Sequence, residues 1–122
     1  MRLLLDSNPG INLVRSYGNG ELIIGEQRIK RPCIIAPREL RLDWGAPSIE
    51  QLTVEDLEPA LMLKITILLL GAGDRQPWPS ATVRTLLRAR GVALECMNLG
   101  AACRTYNILA TEERDVAAGL FP

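Results

Sequence analysis

The run Ile65-Thr66-Ile67-Leu68-Leu69-Leu70, stopped by Gly71-Ala72-Gly73, constrains the fold of this chain more than any other stretch. Successive strand residues point to opposite faces, and here both faces are apolar, so the strand has to be covered on both sides. That predicts a central strand with helices above and below it, and the following sequence supplies them. Pro79-Ser80 opens a helix that Gly91 closes. Val92 to Met97 reads as another strand, Asn98 caps a helix from about Leu99 to Thr111, and Asp115 to Leu120 reads as the final strand. Three apolar runs alternating with two helices are the pattern of β-α-β units. In the last helix Ala102, Tyr106 and Leu109 recur at helical spacing and are expected to face the sheet.

The first third reads as β structure. Leu13 to Tyr17 and Glu21 to Ile24 flank Gly18-Asn19-Gly20, residues that accept positive φ and suit a hairpin. Gly25-Glu26 turns the chain into Gln27 to Lys30, and Cys33 to Ala36 follows Pro32 as a short β-branched run ended by Pro37. Arg38 to Ile49 has no clear period. Gly45-Ala46-Pro47-Ser48 reads as a surface loop, with Trp44 sealing an edge of the core. Thr53 is placed to cap a helix carrying Glu55 and Asp56 in its first turn, with Pro59 limiting or bending it. A chain of 122 residues fits one hydrophobic core. The expected fold is therefore a three-layer α/β single domain over residues 1–122, with a mixed central sheet flanked by helices and an additional N-terminal β element.

Charge and composition narrow the function. Fourteen basic residues balance fourteen acidic ones, so no net field draws the chain to nucleic acid or an anionic membrane. Arg84, Arg88 and Arg90 read as a solvated helix face. Cys33, Cys96 and Cys103 are odd in number and form no C-x-x-C pair, which argues against a disulfide framework and a zinc site. A reducing, cytoplasmic setting follows. Met1 to Asp6 holds too short an apolar run for a signal peptide, and no run is long enough for an integral membrane segment. The chain has no histidine, which removes Ser-His-Asp and Cys-His mechanisms. No acidic cluster has calcium-loop spacing. The expectation is a non-enzyme with no cofactor and no metal.

Gly71 and Gly73 stand where a dinucleotide fingerprint would begin, but Gln76 replaces its third glycine and Pro77-Trp78-Pro79 delays the helix. A tight turn is the better reading. Cys103 near the start of the last helix reads as a small buried thiol. Arg104 and Asn107, with Gly100 at the same helix N-terminus and Asp74 and Arg75 after the preceding strand, form the candidate binding set together with Gly71 and Gly73. Ligands in open α/β sheets commonly bind outside the carboxyl ends of strands, where both junctions fall. Two readings stand side by side: a polar pocket for a small anion, or a structural role in which Arg104 pairs with Glu95 or Asp74 and Asn107 ties down a loop. An exposed strand edge in the N-terminal third would also allow a homo-oligomer.

The block from Glu95 through Asn98-Leu99-Gly100-Ala101-Ala102-Cys103-Arg104-Thr105-Tyr106-Asn107 to Leu109 carries a resemblance, supported by Leu69 to Gly73, Gln76 to Ser80 and Glu113 to Ala118. The chain resembles the family of small α/β proteins related to the mitochondrial complex I assembly factor that is third of its series, and to the adipogenesis-associated domain protein. Bacterial members are mostly uncharacterised. Ala72 and Leu99 depart from the usual residues of that family, as does Lys64-Ile65. The resemblance implies a three-layer fold and an interaction or assembly role with a protein partner. It implies no reaction.

Overall fold

The computed structural model describes residues 10–122, so the reading of Met1 to Asp6 lies outside the described residues. Val14–Gly18 (β1), Glu21–Ile24 (β2) and Gln27–Ile29 (β3) form an antiparallel three-stranded sheet in chain order. The turn between β1 and β2 is Asn19-Gly20, with φ of 54° and 76°. Two successive positive φ values give the mirror-image turn whose twist matches a two-residue hairpin.

Cys33–Ala36 (β4) leaves this sheet for a second one and pairs there with Glu39–Arg41 (β5). The absence of a period over Arg38 to Ile49 concealed β5. It has three residues, Glu39 and Arg41 are exposed, and only Leu40 turns partly inward. An edge strand this short and charged gives too few alternations to read. Val54–Leu61 (α1) begins with a capping box, Thr53 and Asp56 each accepting from the other's backbone N–H at 3.2 and 2.9 Å. Pro59 lies inside the helix, which runs on to Leu61.

Ile67–Ala72 (β6), Ala81–Ala89 (α2), Ala93–Met97 (β7), Leu99–Thr111 (α3) and Val116–Phe121 (β8) complete the chain. The five-stranded sheet has the order β5-β4-β8-β6-β7, with β6 parallel to β7 and β8 and with β8 antiparallel to β4. The chain steps outward from β6 to β7 and then back across β6 to β8. Crossovers of one hand in opposite directions place their helices on opposite faces, and the core divides accordingly. Leu68 and Leu70 pack with Val83 and Leu87 of α2, Leu57 of α1 and Trp44. Leu69 packs with Ala102 and Tyr106 of α3 and with Leu22 and Ile24 of the smaller sheet. The doubly apolar run thus lies in the middle layer of three, as its pattern demands.

Helix ends obey the sequence as well. Gly91 (φ 72°) follows α2, where Gly91 N–H donates to Arg88 O at 3.1 Å and Val92 N–H to Leu87 O at 2.9 Å. This is the paired terminal bonding that glycine at this position permits without a Cβ penalty. Trp44 is buried against Phe121, ring centroids 5.3 Å apart, and its indole N–H donates to Asp56 O at 2.7 Å.

Candidate functional site

The glycine junctions meet at the carboxyl ends of β6 and β7, where Leu99 N–H donates to Gly73 O at 3.0 Å. Each glycine has a different reason to be there. Gly73 has φ 61° and open space around it, so it serves the turn. Gly71 lies in β6 against α3, and a Cβ on it would stand 2.3 Å from the Ala102 Cβ. Gly100 is buried beneath Tyr17, whose hydroxyl would be 2.7 Å from an added Cβ. Two of these glycines therefore let α3 approach β6 and β1 closely.

The polar residues at this end are held by the fold. Asn98 accepts from Ala101 N–H at 2.8 Å and caps α3. Asn107 is buried, accepting from Val14 N–H at 2.9 Å and donating to Val14 O at 2.9 Å. Its amide acts as one more strand partner for β1, so it ties down a strand in place of a loop. Arg104 donates to the Tyr17 hydroxyl, with its guanidinium 6.0 Å from that ring's centroid. Its partner is thus neither Glu95 nor Asp74. Asp74 and Arg75 are exposed on the turn after β6. The structure brings Gly71, Gly73 and Gly100 to one end of the sheet, places Asn107 within the α3–β1 packing, and sets Arg104 on the outer side of α3. Val14 and Tyr17 are the residues that sequence reasoning missed. No local signal marks them, because their partners lie 93 and 87 positions away.

A cavity of about 630 Å³ opens at the opposite end of the sheet, where Ile65 and Val116 precede or begin β6 and β8 and Arg38, Glu39, Arg114 and Asp115 ring the mouth. None of the predicted site residues lines it. A second concavity of about 450 Å³ lies beside β7, between Trp78, Arg84 and Arg88 and the stretch from Gly91 to Leu94.

All three cysteines are free and buried. Burial pushes Cys33 and Cys103 up to about 12 and Cys96 up to about 11, so the helix N-terminus does not activate Cys103. A thiol with so high a pKa is neutral at ordinary pH and unreactive. Iodoacetamide at about pH 8 should leave all three largely unmodified in the native chain and alkylate all three in urea. Rapid native labelling of Cys103 would contradict this packing.

Among the described residues no helix is long and apolar enough to cross a membrane. The chain is 32% identical over 111 residues to the Xenopus tropicalis protein named NADH dehydrogenase (ubiquinone) 1 alpha subcomplex assembly factor 3, a match covering 89% of this chain and 60% of that one. It therefore spans about three-fifths of that relative's length. A crystal structure of a Bordetella parapertussis protein superposes with TM-score 0.85 at 32% identity, covering 95% of this chain and 99% of that one. A solution structure from Bordetella pertussis, described as a Mth938-like domain, gives TM-score 0.82 at 28% identity, covering 100% and 92%. Residues 14–121 match the family described as "Protein of unknown function (DUF498/DUF598)", and this chain belongs to that family.

Proposed function

We propose that this chain is a non-enzymatic interaction or assembly module that acts on another protein in the cytoplasm. The observation that carries the reading is how the polar end of the sheet is used. Asn107 bonds the Val14 backbone through both its amide oxygen and its amide nitrogen, and Arg104 donates to the Tyr17 hydroxyl. The three thiols are buried and held neutral. Catalysis needs groups aimed at a space a substrate can enter, and at this end of the sheet Asn107 and Arg104 are aimed at the protein's own backbone and ring. The assembly factor named above lends the same reading its precedent.

The test is a native one. The chain, tagged and produced at its natural level, should migrate on a native gel in a complex larger than itself, with one other protein recovered in fixed ratio after crosslinking. A chain found only alone or with copies of itself, under every growth condition tried, would overturn the module reading.

A further inference from the structure

We propose that the open edge of β7, flanked by Trp78, Arg84 and Arg88, is a docking site for an extended acidic segment of a partner protein. The proposal rests on the interaction-module reading and specifies which face does the work. β7 ends the five-stranded sheet, so among the described residues one of its sides has no neighbouring strand. Ala93 N–H donates to Thr66 O at 2.9 Å and so faces inward toward β6. Backbone groups alternate along a strand, which turns the N–H and C=O of Leu94 to the open side. Leu94 is partly exposed and lines the 450 Å³ concavity.

The walls define the occupant. Trp78 is 53% exposed, and an indole this accessible at the rim of a groove offers an apolar contact surface. Arg84 and Arg88 are exposed, and among the described residues neither takes part in an ion pair, whereas nearby Arg90 pairs with Glu58 at 3.6 Å. Four residues of helix advance about 6 Å. Alternate side chains on one face of a strand repeat every ~6.6 Å. Two carboxylates at alternate positions of an added strand would therefore meet the two arginines, with an apolar residue at the Trp78 end. A second copy of this chain fits worse, because pairing two β7 edges brings both arginine rows together. A nucleic acid fits worse too, since two arginines on a chain of zero net charge make a small footprint.

The probe is a fluorescein-labelled peptide, Gly-Leu-Thr-Glu-Val-Glu-Val-Gly, compared by anisotropy with its Lys-for-Glu counterpart in low salt. Wild type should bind the Glu peptide at least about tenfold more tightly, and Arg84→Glu/Arg88→Glu should invert the preference. Trp78→Ala should weaken both peptides without changing their order. Unaltered melting midpoints establish that the variants are folded. Absence of saturable Glu-peptide binding below about 1 mM, a preference that survives charge reversal, or tighter binding of an oligothymidylate would each overturn the proposal. Failure of the peptides while wild type still migrates in its native complex removes this face alone. A wild-type chain that migrates by itself removes the module reading as well.

Discussion

Asn107→Ala should lower stability by roughly 3 kcal/mol or more and depress the unfolding midpoint by roughly 10 °C or more. Val14 is fully buried, and both of its outward backbone groups rely on this one amide. Alanine removes the partner of each and supplies none. A buried donor or acceptor left unsatisfied costs about 1–3 kcal/mol. Two of them, together with the void left by the amide, set the estimate. Asn107→Asp gives the argument a sign. An ionised carboxylate accepts from Val14 N–H but repels Val14 O, and burial raises its pKa above the unfolded value. Stability of that variant should therefore rise as pH falls through the raised pKa, where the neutral acid again donates to Val14 O. Chemical denaturation across pH reads both effects. A loss below about 1 kcal/mol for alanine would show that the amide is dispensable to the fold.

Parts of this fold whose cause is local were legible in the sequence. The doubly apolar strand β6, the stop at Gly91 and the Asn19-Gly20 turn each follow from residue type and spacing within a few positions. The buried state of Cys103 followed from its small apolar neighbours. Other parts depend on which distant elements meet. β5 exists because β4 offers it an edge, and Leu40 alone carries its pattern. Arg104 reads from the sequence as a partner for Glu95 or Asp74, yet it finds a tyrosine brought up by the first hairpin. Asn107 reads equally as a ligand group or as a loop tie until Val14 is placed beside it. The groove beside β7 was hidden for the same reason: the spacing of Arg84 and Arg88 shows a solvated helix face, while the strand edge next to it is a property of sheet order.

Gly71→Ala should destabilise the chain by about 1–3 kcal/mol or more, and Ala102→Gly should restore most of that loss. Intrinsic propensity argues the other way, because alanine in a strand interior is favoured over glycine by roughly 0.5–1 kcal/mol. The backbone at Gly71 raises no objection, as its φ is not among the positive values. Contact therefore decides the sign. The new Cβ would stand 2.3 Å from the Ala102 Cβ and 3.4 Å from Asn98 O, and a methyl attached directly to a helix backbone has no rotamer by which to withdraw. α3 would have to lift from β6, loosening Leu69 and Tyr106 beneath it. Ala102→Gly alone costs about 1 kcal/mol in helix propensity and about as much again for the buried methyl it removes. Combined with Gly71→Ala it moves the methyl from helix to strand and leaves the interlayer gap filled. The coupling in the double-mutant cycle should then exceed about 1.5 kcal/mol. Gly100→Ala should be milder, since the Tyr17 ring can swing away from the added methyl, whereas the Ala102 methyl cannot. Additive effects at Gly71 and Ala102 would mean that this glycine serves something other than the approach of α3 to the sheet.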